Sequence, residues 1–471
     1  MRVLLVQPED PPMLVGFTRL ARAEPLALEI LAATIPEHQV RILDLRVDPC
    51  LEQTLEDFRP HLVGVTGYTT NVPRMLSICQ QVKAADPAIF TVLGGYHATL
   101  CPEDFDCGNV DAIVVGEGEV TFPELVEAVS RGRDYHHVAG IIYRQSGSQV
   151  RTAPRPLMRL DESVLPARDL VDAYRQDYHF QFWSSPYPVE TARGCPYQCT
   201  FCSVWAFHGR KCRVKSPERV LRELENVKGD VVAFVDDNFL QNLARAERIY
   251  ELIKAVGIKV KFWMQARSDS IVRRADLIEK WSQIGLSTVL IGFEKFRDEE
   301  LGDLNKKNSV RVNEEAARIM HANGVDIWGA FIVDPQWRTP DFDALIDYVR
   351  RLKINFPQFT ILTPLPGTEF FREKLNELTT RNYELFDFLH SVLPTRLPAI
   401  EFYEDMARLY ASTTMSFTDL KERVRTGHIE IAALRRIKNL LADLTNPQAY
   451  LRGLEAQGEG WSFHSRPVRS G

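Results

Sequence analysis

The chain has 471 residues, 57 of them basic and 63 acidic, giving a net charge of −6, and 45% are hydrophobic. That length allows two to four domains with sizeable cores. The acidic balance disfavours a nucleic-acid partner, which calls for a basic surplus or stripe; Lys306 and Lys307 read as solvated surface.

The opening residues, Met1 to Pro8, read as a buried strand and turn polar too soon for a secretory leader. No stretch approaches the roughly eighteen apolar residues of a membrane span. Eight cysteines without a leader predict a cytoplasmic protein, where clustered cysteines bind metal or do chemistry. Cys50, Cys79, Cys101, Cys107 and Cys212 are scattered and read as ordinary small residues.

Short apolar runs, Val3–Val6, Val40–Leu43, Leu62–Val65, Phe90–Leu93 and Ala112–Val115, alternate with helical patterns near 26–35, 51–58, 73–85 and 121–130. Such runs predict a doubly wound parallel sheet covered on both faces, whose ligands sit beyond the strand C-termini. Those ends carry Thr66, Tyr68 and Thr69, then Gly94, Gly95 and His97, then Gly116, Glu117 and Gly118. Residues 135–185, with strand-like 140–144 and 149–155 and several prolines, read as a connector.

A second strand–helix series follows, with strands Val189–Thr191, Val231–Val235, Val260–Met264, Thr288–Ile291, Ile327–Ile332 and Phe359–Leu362. Gly257, Gly285 and Gly324 suit left-handed helix ends before three of them. Six repeats predict a partial parallel (β/α)6 barrel with its chemistry at the strand C-termini. The fold class expected is thus α/β, divided into 1–134, 135–185, 186–374 and a small helical region, 375–471, with a loose tail after Gly458. The aromatics of that last region (Phe386, Phe388, Phe402, Tyr403, Tyr410) read as core, or as one wall of an apolar cleft.

Arg193-Gly194-Cys195-Pro196-Tyr197-Gln198-Cys199-Thr200-Phe201-Cys202 places three cysteines as C-x3-C-x2-C after the first barrel strand. Thiolates are the usual ligands of iron–sulfur clusters. Three leave one iron of a four-iron cluster open for a chelating ligand, such as the amino and carboxylate groups of S-adenosylmethionine. A closed zinc site would need a fourth ligand, for which only Cys212 and His208 are near.

With an aromatic before its last cysteine, this motif resembles the radical S-adenosylmethionine (SAM) superfamily. The resemblance implies a [4Fe-4S] cluster on Cys195, Cys199 and Cys202, SAM as the ligand of the open iron, and the main chain near Phe201 against the adenine. Asp236, Asp237 and Glu294 at strand ends would hold the SAM ammonium or ribose, and Arg267 its carboxylate. The family's Gly-Gly-Glu stretch is replaced by Val235-Asp236-Asp237-Asn238, which leaves the ligand of the amino group undecided. No catalytic residue is singled out, because the cofactors carry the chemistry.

The preceding sheet domain resembles the cobalamin-binding domain of one branch of that superfamily, on Glu24-Pro25-Leu26, Gly94 to Thr99 and Gly116 to Glu119. Glycines there let a backbone approach a bulky ligand, and hydroxyls serve its nucleotide tail. No D-x-H-x-x-G occurs and the Gln7–Gly16 loop has no histidine, so the resemblance implies cobalt without a protein histidine, His97 being the alternative axial ligand. Residues 190–218 are most similar to hopanoid C-3 methylases, and also to the anaerobic cyclases that build the fifth ring of chlorophylls.

The expectation is a cobalamin-dependent radical methyltransferase acting on an unactivated carbon of a large apolar substrate. It would be fed by a reductant such as a flavodoxin or ferredoxin. The alternatives are an oxidative cyclase or ring-rearranging enzyme with the same cofactors, and a non-catalytic corrinoid or cluster carrier or sensor. An RNA methylthiotransferase would want a second cluster and a basic RNA module, for which the composition gives no sign.

Overall fold

A computed structural model describes residues 1–455 except 13, 16–20, 181, 416 and 428. The tail expected after Gly458 lies outside the described residues, as do parts of the Gln7–Gly16 loop.

The first sheet holds β1 (Arg2–Gln7), β2 (Gln39–Asp44), β3 (Leu62–Thr66), β4 (Phe90–Gly94), β5 (Ala112–Val114), β6 (Ile141–Gln145) and β7 (Ser148–Arg151) in the order β2-β1-β3-β4-β5-β6-β7. β1 to β5 are parallel, and β6 and β7 run antiparallel. The chain direction across the sheet reverses between β1 and β3, which makes a crevice at their C-terminal ends. Two apolar clusters cover its faces, one around Leu4, Val63 and Met75 and the other around Val3, Leu28 and Phe122. β6 and β7 come from the segment expected to be a connector. They extend the sheet because Ile141, Ile142 and Tyr143 bury their side chains against it.

The second sheet is wholly parallel: β8 (Tyr187–Val189), β11 (Val231–Phe234), β12 (Lys261–Ala266), β13 (Leu286–Glu294), β14 (Asp326–Val333) and β15 (Phe356–Ile361), in that order. The two-stranded hairpin β9 (Ala192–Arg193) and β10 (Arg213–Val214) frames the cysteine segment. Among the described strands β8 and β15 are the open edges, which gives the expected partial barrel. Gly257, Gly285 and Gly324 all have positive φ at helix ends.

One strand is displaced. Val189–Thr191 was the expectation, and the ladder instead uses Tyr187–Val189. The Thr191 N–H leaves the sheet to meet the Asp236 side chain at 2.6 Å.

The C-terminal helices pack on the barrel. Phe402, Tyr403 and Tyr410 lie in its core, and the Tyr410 hydroxyl donates to Phe359 O at 2.8 Å. These aromatics are core rather than the wall of a cleft. No helix among the described residues is long and apolar enough to cross a membrane.

Candidate active site

The cysteine loop is pinned at several points before any ligand is considered. Gly194 has φ +84, and a Cβ there would run into the Lys211 carbonyl, so only glycine fits. Its N–H donates to Asp237 Oδ2 at 3.0 Å. The Cys199 carbonyl accepts from the Trp205 indole at 3.0 Å and from the Cys202 N–H at 3.1 Å. Asn305 holds Gln198 O, and Leu304 O holds the Thr200 N–H. Phe201 is half-buried within this loop.

Burial pushes all three thiols up, Cys202 to about 12, while Lys306 and Arg267 beside Cys199 pull its thiol down. Such desolvated thiols ionise when a metal replaces their protons. Of the two side chains that could close a zinc site, Cys212 is engaged elsewhere, while His208 has only Nε2 engaged and its Nδ1 has no hydrogen-bond partner. The Cys212 Sγ donates to Gln241 Oε1 at 2.6 Å, and His208 Nε2 lies 3.4 Å from the Tyr96 hydroxyl. The triplet therefore fits a cluster with one open iron better than a closed zinc site.

The strand-end residues divide by what they already hold. Asp236, 1% exposed, accepts from the Thr191 N–H, the Ala192 N–H at 2.9 Å and the Thr191 hydroxyl. Both its oxygens are spent on shaping the loop, so it does not fit the role of a SAM ligand. Asp237 accepts from the Gly194 N–H, and its carboxyl is pushed up to about 6 by burial. Asn238, which the sequence reading passed over, is 1% exposed, and neither atom of its amide finds a protein partner. Arg267 lies 3.6 Å over the Tyr197 ring and donates to Asp269 (2.9 Å) and Lys306 O (2.6 Å). Glu294, with φ +63, meets Lys306 Nζ at 2.6 Å. Lys306 is thus buried as a partner of Glu294, not solvated as its sequence context suggested.

The edge of the first sheet faces this loop. Tyr96 stacks on Phe207 at 3.9 Å, and Phe207 ends the short helix α1 (Val204–Phe207) that follows the cysteines. Tyr68 lies 5.9 Å from Tyr96. Although 66% exposed, Tyr68 has its phenol pushed up by surrounding protein and by Asp237. Tyr96 is raised likewise, with Asp237, Cys202 and Glu190 among its neighbours. The residues that follow β4 thus meet those that follow the cysteines at the Tyr96–Phe207 stack.

Gly116 has φ +80 and nothing within 4 Å of the position of a Cβ, while Gly94 meets nothing closer than 3.8 Å. Both leave room for a bulky ligand. Gly95 instead packs tightly, a Cβ falling 2.6 Å from Thr66 Oγ1, and Gly118 packs on Leu31. Thr66 donates to Gly94 O at 3.4 Å.

His97 and Glu117 turn away from the ligand space. His97, 2% exposed, has Nδ1 on the Thr69 hydroxyl (3.2 Å) and Nε2 on Asp104 (2.9 Å), so neither ring nitrogen is available to cobalt. Glu117 binds Arg193 at 2.8 Å and Arg213 at 2.5 Å, and so joins the two sheets instead of touching a cofactor. The Gly-Glu-Gly-Glu run signalled a ligand loop, but nothing local in the sequence shows that its partners are arginines some 76 and 96 positions away.

Comparison with known proteins agrees with this geometry. The family model "B12 binding domain" matches residues 13–126, and "Radical SAM superfamily" matches residues 189–349. The chain is 32% identical to the hopanoid C-3 methylase of Methylococcus capsulatus over 87% of its own length and 79% of that protein. It is 28% identical to the anaerobic magnesium-protoporphyrin IX monomethyl ester cyclase of Rubrivivax gelatinosus, over 74% and 64%. Its fold is similar to that of the radical S-adenosylmethionine methyltransferase TsrM from Kitasatospora setae with cobalamin and [4Fe-4S] cluster bound. The TM-score is 0.65 at 17% identity, covering 89% of each chain. A loop of three cysteines, a sheet edge with two open glycines and a family match across both halves lead to one assignment: the chain belongs to the cobalamin-binding radical SAM enzymes, which work with a [4Fe-4S] cluster, SAM and cobalamin.

Proposed function

We propose that the chain is a cobalamin-dependent methyltransferase that alkylates an unactivated carbon of a large, apolar, polycyclic substrate. The observation that carries this reading is the Tyr96–Phe207 stack, which brings the corrin edge of the first sheet against the cluster loop of the second. When bound, the cluster supplies the electron that splits SAM into methionine and a hydrogen-abstracting 5′-deoxyadenosyl radical, and methylcobalamin supplies the methyl group.

The protein's part is to hold, orient and exclude water. Cys195, Cys199 and Cys202 hold the iron. The main chain at Phe201 faces the adenine, and Asp237, Asn238 and Glu294 offer the polar contacts for SAM. Arg267, already committed to Asp269 and Lys306, braces the loop beside Cys199 as much as it reaches the SAM carboxylate. Gly94 and Gly116 leave the corrin its space, and Thr66, Thr69 and Tyr68 lie along its edge. His97, committed to Thr69 and Asp104, would not serve as a ligand to cobalt.

In this assignment 1–134 binds the corrin, with β6 and β7 of the 135–185 segment completing its sheet and the rest of that segment leading to the barrel; 186–374 carries the cluster and SAM, and the described residues from 375 onward cap the barrel. A flavodoxin or ferredoxin delivers the electrons.

The aromatic side chains of Tyr68, Tyr96 and Phe207 suit an apolar polycyclic substrate, and the two relatives are named for a hopanoid and a magnesium-protoporphyrin ester. The identity to a methylase exceeds that to a cyclase, which favours methyl transfer; cyclisation with the same cofactors is the second reading. Incubating the reduced holoenzyme with methyl-labelled SAM and a hopanoid acceptor should place label in the lipid. A dehydrogenated or cyclised product without label would favour the cyclase.

A further inference from the structure

Arg193 stands two residues before the first cluster cysteine, on the hairpin strand β9. Its three nitrogens each take a different carboxylate: Nε binds Glu190 at 2.8 Å, Nη1 binds Glu117 at 2.8 Å and Nη2 binds Glu119. Glu117 is shared with Arg213 of β10, at 2.5 and 3.0 Å. Glu117 lies in the loop after β5, where Gly116 opens onto empty space, and Glu119 lies in the first turn of the helix Gly118–Ser130 that follows it. The third belongs to the lead-in of the cysteine loop.

Exposed ion pairs of this kind contribute little. Here the side chains of Arg193, Glu117 and Glu119 are at most 10% exposed, so losing the guanidinium takes the partner from Glu119 and Glu190 in low dielectric, while Glu117 keeps Arg213. The planar fork also matters, because an ammonium on one flexible stem cannot serve three carboxylates in fixed directions. The path from corrin loop to cluster is short and stiff: Gly116–Glu119, the Arg193 guanidinium, the pinned Gly194, then Cys195.

We propose that Arg193 is a positioning residue that couples the two cofactor loops, so that filling one site tightens the other. This rests on the placement of the corrin at the Gly94 and Gly116 edge. Coupling between two binding sites is reciprocal, and typical values run from a few-fold to about a hundredfold. A residue that only supported the fold would lower both affinities and leave their linkage intact.

The test measures the Kd for hydroxocobalamin by anaerobic titration of the full chain, once with the cluster reconstituted and once without iron and sulfide. The wild-type protein should bind hydroxocobalamin about tenfold more tightly when the cluster is present. Arg193→Lys should bring that ratio to within about twofold while both cofactors still bind, and Glu119→Gln, which weakens one arm, should give an intermediate ratio. An equal Kd in the two wild-type preparations would overturn the inference, as would an undiminished ratio in Arg193→Lys. If Arg193→Lys does not fold, an undiminished ratio in Glu119→Gln decides against it. Wild-type protein that bound no hydroxocobalamin would overturn the corrin placement as well, which separates the two failures.

Discussion

Single residues at this site act through what they already hold. Asp236 spends both oxygens on the loop before the cysteines, and Gly194 lets that loop pass under the Lys211 carbonyl. Gly194→Ala is therefore expected to cost at least about 1–3 kcal/mol, from strain at positive φ and the displaced carbonyl. The chain should retain its secondary structure and bind hydroxocobalamin, yet reconstitute well under half of the wild-type iron and sulfide. Iron and sulfide analysis checks this, and wild-type cluster content in the variant would show that the tight turn is dispensable. The cysteine triplet itself was legible, because ligand spacing is a local property. The roles of Asp236, His97 and Glu117 were not, since a strand-end side chain points wherever its tertiary partner lies. Lys306 was misread for the same reason: Glu294, its partner, lies twelve residues earlier on a different element.

Elements are held together by a second buried charge cluster. The helix α2 (Leu26–Ala33) carries Glu29, which is fully buried with neither oxygen hydrogen-bonded. Burial pushes its carboxyl up to about 8. Arg168 is 3.7 Å away but is itself committed to Glu24 and Glu223, and Glu223 lies on the barrel helix α3 (Pro217–Leu224).

The pH dependence follows from that carboxyl. Between about 4.5 and 8 the folded chain keeps a proton on Glu29 that the unfolded chain has lost. Stability from this group is complete below that window and falls as pH rises through it. Glu29→Gln removes the titration and keeps the shape. Relative to wild type, the variant should gain roughly 1 kcal/mol for each pH unit crossed, up to about pH 8. Chemical denaturation at pH 5.5 and pH 8 measures the gap, and a gap that stays constant would mean that Glu29 is ionised in the folded protein. The strands and their order of appearance were readable because uninterrupted apolar runs and terminal glycines mark them locally. β6 and β7 read as a connector because an antiparallel edge adds no helix to the strand–helix rhythm. Val189–Thr191 was misplaced because Asp236 captures the Thr191 amide.

At the scale of the whole molecule, the loops that follow the parallel strands of two sheets meet at the Tyr96–Phe207 stack. One edge carries open glycines and the other the three thiols. Sequence could place both edges but not their meeting, since neither the Tyr96–Phe207 stack nor the arginine–glutamate cluster has a local signature. In the proposed function the protein cleaves SAM reductively beside a corrin. The most direct measurement is 5′-deoxyadenosine release from the anaerobically reconstituted full chain, loaded with cluster and hydroxocobalamin and reduced with excess SAM. The wild-type protein should release the nucleoside in excess of enzyme, and Cys199→Ala should release none. A wild-type protein that held both cofactors and left SAM intact, or a Cys199→Ala protein that matched it, would contradict the account.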